Sequence, residues 1–302
     1  MSEYTCTAGD VELCYETFGD PQDPTLLLLM GLGTQMLWWR EEFCNTLVER
    51  GFHVVRYDNR DVGRSSRLNN APLPTAWQLL RRDRRAASYT LNHMADDGMA
   101  LLDHLGIERA HVVGASMGGM IAQTMAVEHP ERVISLVSIM SNTGAWWTGQ
   151  PALRLYPRLI AKTPHDRHAF VEHSVRGFRR IASPGFDWDE EEHRRMAGLS
   201  FDRMHGPAAS TRHLAAIVAS GDRTRLLRTI TAPTLVIHGT GDRLVKPSGG
   251  RATARAIPGA RLMMIDGMGH ELPRGVWPRV IDGIVANAAR ASERSSDETQ
   301  LA

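Results

Sequence analysis

At about 100–200 residues per domain, a chain of 302 residues holds one large domain or two modest ones. With 42% hydrophobic and 23% charged residues it has the balance of a folded, water-soluble protein, which excludes disordered and collagen-like chains. Lys and Arg number 35 and Asp and Glu 34, a formal charge of +1, so no global field gathers nucleic acid or an anionic membrane.

The first ten residues, MSEYTCTAGD, have neither a basic stretch nor an apolar one, so no secretory signal is read there and a cytoplasmic protein is expected. Val11 to Phe18 reads as a strand and Thr25 to Met30 as a buried one. That aliphatic run, the longest in the chain, is far short of the roughly 20 apolar residues that span a bilayer. Gly31 and Gly33 then break the chain. A helix from about Leu37 to Arg50 leads to a strand at His53 to Asp58. A helix at Leu91 to Leu105, a strand at Ala110 to Ala115, a helix at Met117 to His129 and a strand at Val133 to Met140 continue the alternation. Strand and helix in turn imply an α/β fold, a mostly parallel sheet with helices on both faces.

The rhythm stops after Ser141. The stretch to about Arg228 holds helical patches, Trp146, Trp147 and several prolines but no pair of buried strands, and reads as an inserted helical cap. Order resumes with a strand at Thr234 to Thr240, a helix near Ser248 to Ala256, a strand at Arg261 to Asp266 and a helix to about Arg290. The expected organisation is a core of residues 1–142 and 229–291, a cap of 143–228 and a polar, flexible tail of 292–302. Cys6, Cys14 and Cys44 form no Cys-x-x-Cys, and the 13 histidines show no His-x-x-x-His spacing. Neither a disulfide, a metal nor another cofactor is expected.

Chemistry concentrates at three strand ends. The strand Ala110 to Ala115 runs into Gly114-Ala115-Ser116-Met117-Gly118, a Gly-x-Ser-x-Gly followed by a helix. The pentapeptide alone can arise by chance, but between a buried strand and a helix it has the context of a nucleophile elbow. Its glycines give room to a serine on a sharp, strained turn. A serine hydroxyl is a poor nucleophile and needs a base, and the base an orienting acid. Asp242 follows the strand Thr234 to Thr240, and His270 follows Arg261 to Asp266. All three side chains are thereby expected on the edge where open α/β sheets bind ligands. Candidate oxyanion donors are the backbone N–H of Met117, after the nucleophile, and of Leu32, in the loop Met30-Gly31-Leu32-Gly33.

Taken together, the MGLG loop, YDNRDVGRS (Tyr57 to Ser65), GASMGG, PTLVIHGTGD and GMGH resemble the α/β-hydrolase superfamily over nearly all the chain outside the cap. More narrowly, GDVEL at Gly9 to Leu13, LLLLMGLG and VRYDNRDVGRSS look like esterases of the anthracycline (aclacinomycin-type) methylesterase and actinobacterial lipase/esterase group. The resemblance implies a sheet of about eight strands and a small to medium apolar carboxylic ester as substrate. Carbon–carbon bond or thioester hydrolysis by the same triad, and a non-catalytic small-molecule receptor on this fold, are the alternatives.

Plainer roles compete for several residues. Ser116 could be a turn serine. His111 and His238 lie in strands, where a histidine is satisfied by the fold. Asp222 precedes its strand, and Asp266 is too near His270 along the chain to reach behind it. Asp58, Arg60 and Asp61 are expected to hold their loop by charge-assisted hydrogen bonds, and Arg81, Arg82, Arg84 and Arg85 to form a solvated face. Trp38, Trp39, Trp146 and Trp147 are candidates for lining an apolar substrate pocket, with core packing the alternative.

Overall fold

In a computed structural model, residues 2–155, 163–203 and 209–301 are described. Continuous aliphatic runs set the sheet. Leu26 to Leu29, Val54, Val55, Val112, Val113, Leu136, Val137, Val236 and Ile237 are all buried. Strands buried on both sides must be covered on both faces, which is why these segments do not alternate with polar residues. Eight strands result: β1 (Tyr4–Ala8), β2 (Val11–Phe18), β3 (Thr25–Leu29), β4 (His53–Tyr57), β5 (Ala110–Ala115), β6 (Val133–Ile139), β7 (Thr234–Gly239) and β8 (Arg261–Ile265). Their order in the sheet is β1-β2-β4-β3-β5-β6-β7-β8. β2 is antiparallel to β1 and to β4, and every other pairing is parallel.

Helices α1 (Glu41–Glu49), α2 (Ala76–Leu80), α3 (Leu91–His104) and α4 (Met117–Glu128) precede β6. Leu101, Ile121 and Met125 of α3 and α4 pack with Leu27, Val55 and Val112 on one face of the sheet. On the other, Phe43 and Leu47 of α1 meet Leu28, Val54, Val113 and Ile237, together with Val280 and Ile284 of the last helix. Residues Met117 to Ala126 of α4 are buried without interruption, as expected of a helix apolar on every side and wedged against a sheet.

Between β6 and β7 lie α5 (Arg167–Ile181), α6 (Glu190–Arg203) and α7 (Ala209–Ser220). Among the described residues this segment contains no strand. Residues 156–162 and 204–208 of the expected cap lie outside them. Val171 and Val175 of α5 pack with Ala197 of α6, beside Phe170 and Trp188, in a small core separate from those of the sheet. After β7 come α8 (Ser248–Ala256) and, after β8, α9 (Trp277–Leu301). α9 continues past Arg290, near which its end was expected, to Leu301. Once the Ala-rich stretch before residue 292 has nucleated the helix, each further residue costs little to add.

The loop after β4 is tied down by charge. Arg60 makes two 2.7 Å bonds to Asp97 of α3. Asp61 receives two from Arg212 of α7, at 2.8 and 2.7 Å, and one from Tyr89 at 2.7 Å. Asp58 accepts from Arg203 of α6 and from the amides of Met36 and Arg64. The loop thus joins the sheet edge to the segment between β6 and β7. Such buried pairs add little net stability but are costly to break, because the surviving charge is stranded.

Candidate active site

β5 ends directly at Ser116, whose backbone has φ 55° and ψ −117°. A non-glycine residue in this left-handed region is strained, and the strain persists only where the surroundings enforce it. Here β6 enforces it: the Ser116 amide donates to the Ile139 carbonyl at 2.9 Å. Space enforces it too. A Cβ on Gly114 would lie 2.1 Å from the Gly118 carbonyl oxygen, and one on Gly118 2.1 Å from that of Leu29. Both obstacles are backbone, so neither glycine can be replaced without shifting the turn.

β5, β6, β7 and β8 are parallel neighbours, so their carboxyl ends share one edge, and the loops carrying Asp242 and His270 meet Ser116 there. His270 Nε2 is 2.9 Å from Ser116 Oγ, and His270 Nδ1 is 2.7 Å from Asp242 Oδ2. A carboxylate only accepts, so Nδ1 carries the proton and the Nε2 lone pair faces the serine hydroxyl. The other oxygen of Asp242, Oδ1, accepts the amides of Leu244 and Val245, each at 2.9 Å. Burial alone would raise the Asp242 carboxyl, but the charge of His270 and hydrogen bonds from His238 and His270 outweigh it and hold the group at about 2. His238 also donates from Nε2 to the Val245 carbonyl at 2.8 Å, while its Nδ1 is buried without a partner among the described residues.

The loop after β3 lies against Ser116, and a Cβ on Gly31 would come 3.3 Å from that of the serine. Among the described residues neither Leu32 nor Met117 has its amide given to a protein acceptor. For Met117 this follows from its place as first residue of α4, where the N–H has no partner one turn back. The His270 loop is held from the segment after α5. The His270 amide donates to the Ile181 carbonyl at 2.8 Å, the Gly269 amide to Ser183 Oγ at 2.9 Å, and the Ser183 amide to Glu271 Oε1 at 2.8 Å.

A cavity of about 80 Å³ adjoins the loop after β3, with Trp38, Phe170, Phe178 and Ala197 on its apolar side and Thr34, Gln35, Asp61, Ser174, Ser200 and Ser210 on its polar side. Of the four candidate tryptophans the structure brings only Trp38 to it, stacked on Phe178 of α5 with ring centroids 4.3 Å apart. Trp39 instead lies in the core at 1% exposure, against Phe43. Adjacent residues of a short turn point to different sides, so one tryptophan faces α5 and the next the sheet. Trp146 and Trp147 do not line this cavity: they are 64% and 61% exposed and pack edge-on against each other. Phe170 and Phe178 were not anticipated, although Phe170, Val171, Val175 and Phe178 recur at helical spacing and trace an apolar stripe on α5.

The α/β-hydrolase fold family matches the chain over residues 24–273. Rhodomycin D methylesterase DnrP of Streptomyces peucetius is 30% identical over 305 residues, covering 95% of this chain and 98% of that protein. 3-Oxoadipate enol-lactonase 2 of Acinetobacter baylyi is 29% identical, covering 87% of this chain and 88% of its own. Among solved structures, a hydrolase from Pseudomonas aeruginosa PA01 superposes with a TM-score of 0.72 at 26% identity, covering 95% and 98% of the two chains. A meta-cleavage product hydrolase from Pseudomonas fluorescens IP01, at 20% identity and a TM-score of 0.76 over 95% and 98%, shares the fold. The chain belongs to the α/β-hydrolase fold family, and it is a hydrolase with esterase relatives that match it along almost its whole length.

Proposed function

We propose that this hydrolase cleaves a small to medium, largely apolar carboxylic ester through an acyl-enzyme on Ser116. The observation that carries the reading is the continuous chain from Ser116 Oγ to His270 Nε2 and from His270 Nδ1 to Asp242, at 2.9 and 2.7 Å. As the Ser116 oxygen attacks the ester carbonyl, its proton passes to His270 Nε2, and the ionised Asp242 stabilises the imidazolium that forms. The carbonyl oxygen takes up negative charge beside the amides of Leu32 and Met117. Collapse breaks the carbon–oxygen bond, and His270 returns the proton to the leaving alcohol. Water, deprotonated by His270 in its turn, attacks the acyl carbon, the bond to Ser116 Oγ breaks as His270 returns the proton to that oxygen, and the acid leaves.

Trp38, Phe170 and Phe178, on the apolar side of the cavity beside the loop after β3, support an apolar acyl or ring group. Similarity to rhodomycin D methylesterase supports a methyl ester on a polycyclic acid as the first compound to try. The test is turnover of p-nitrophenyl, methyl and thioester compounds with Ser116→Ala as control, together with labelling by a p-nitrophenyl alkylphosphonate. The reading expects ester turnover that Ser116→Ala abolishes and a phosphonate adduct mapping to Ser116. Equal turnover by a folded Ser116→Ala protein would overturn it. Preference for thioesters over every ester would replace the substrate class and leave the triad in place.

A further inference from the structure

His213 is fully buried in α7, outside the triad, with a partner on each ring nitrogen. Its Nε2 is 2.8 Å from the Arg60 carbonyl oxygen, and its Nδ1 is 3.1 Å from the amide nitrogen of Gly33. A carbonyl only accepts and a backbone amide only donates. One form of the ring satisfies both: neutral, with the proton on Nε2 and the lone pair of Nδ1 turned toward Gly33. Burial pushes the His213 imidazolium down, consistent with a neutral ring, and the neighbouring charges are already paired as Asp61 with Arg212 and Arg60 with Asp97.

Gly33 follows Leu32, so the bond from Gly33 fixes the peptide plane next to the one that carries the Leu32 N–H. Gly33 has φ +66°, and a Cβ there would meet Ser210 Oγ at 2.2 Å, so α7 rests directly on this turn. The turn is closed within itself by Thr34, whose amide and Oγ1 donate to the Gly31 carbonyl at 3.3 and 2.9 Å, and on either side core residues hold the loop. Asn59 donates to the Met30 carbonyl at 3.1 Å, and Met36 donates to Asp58 at 2.8 Å. Between those anchors, His213 is the acceptor for the loop's central amide.

We propose that His213 is a positioning residue for the oxyanion loop: as a neutral acceptor supplied by α7, it holds the Gly33 peptide so that the Leu32 N–H points at the developing oxyanion. The inference rests on the ester-hydrolase reading of the site and adds to it a residue from the segment between β6 and β7. Removing one oxyanion donor costs about 100- to 1,000-fold in kcat. Letting the donor swing out of line is expected to cost roughly 10- to 100-fold, with KM nearly unchanged because the charge appears only in the transition state.

The test compares His213→Asn and His213→Gln, using p-nitrophenyl butyrate turnover and the rate of phosphonate labelling. An asparagine oxygen takes the place of Nδ1 and keeps the bond from Gly33 while losing Arg60. A glutamine reaches toward Arg60 and loses Gly33. The expected result is kcat and labelling rate near wild type for His213→Asn and about 10-fold or more lower for His213→Gln, with KM alike. Equal losses in both variants, or none in either, would overturn the proposal. Should the variants not fold, 15N chemical shifts of the wild-type imidazole decide. A bare Nδ1 and protonated Nε2, with the Gly33 amide protected from exchange, support it, and a protonated Nδ1 refutes it. If wild type neither turns over esters nor labels at Ser116, the ester reading fails. If it does both and His213→Gln matches it, only the role of His213 fails.

Discussion

Asp242→Asn isolates the one function an ionised carboxylate performs behind His270. In the structure Oδ1 accepts two backbone amides, from Leu244 and Val245 at 2.9 Å each, and Oδ2 faces His270 Nδ1 at 2.7 Å. An asparagine keeps its oxygen at the two amides and turns its NH2 toward Nδ1. Flipping it would set the NH2 against two N–H donors, at about 1–3 kcal/mol for each buried amide left unpaired. Nδ1 must then accept, so the proton moves to Nε2 and the ring can no longer take the proton of Ser116. With about 2–6 kcal/mol against the productive arrangement and the stabilisation of the imidazolium lost as well, kcat is expected to fall by about 10,000-fold. At 1.36 kcal/mol per factor of ten that is roughly 5.4 kcal/mol of barrier. Steady-state hydrolysis of p-nitrophenyl butyrate measures the loss, and 15N shifts of His270 report the tautomer. A folded variant that loses less than about 10-fold, or keeps its proton on Nδ1, would refute the reasoning.

Other perturbations have equally definite outcomes. Because folding holds the Asp242 carboxyl at about 2, below its ordinary 3.8, its stabilisation is complete above the ordinary value and is lost as pH falls through about 2. Acid unfolding followed by circular dichroism is expected to show less pH dependence in that window for Asp242→Asn than for wild type. Gly118→Ala would press a Cβ to 2.1 Å from the Leu29 carbonyl oxygen, so a loss of about 1–3 kcal/mol or more is expected in urea denaturation, together with loss of activity. Arg212→Met would strand the buried Asp61 and is expected to cost about 3–5 kcal/mol by the same measurement.

Most of the core was legible because its grammar is local. Leu26 to Leu29 or Val112 and Val113 announce a buried strand by themselves, and Ser116, Asp242 and His270 each stand just past such a run. β1 was missed. Only Cys6 and Ala8 of Tyr4–Ala8 face inward, so its alternation is too faint to register, and pairing with β2 is what makes it a strand. The direction of a tryptophan is a tertiary fact, and the neighbours Trp38 and Trp39 diverge for reasons no periodicity carries. His213 is further out of reach still, because its two partners lie 180 and 153 residues away. Until α7 is laid across both loops, nothing distinguishes it from any other helix histidine.

The most direct measurement is the intact mass of the protein quenched in acid within milliseconds of mixing with p-nitrophenyl butyrate, followed by peptide mapping. A covalent intermediate predicts a mass gain of one butyryl group, on the peptide that contains Ser116 and absent from Ser116→Ala. Turnover without any such adduct in the wild-type protein, or an adduct on another side chain that persists in Ser116→Ala, would contradict the account.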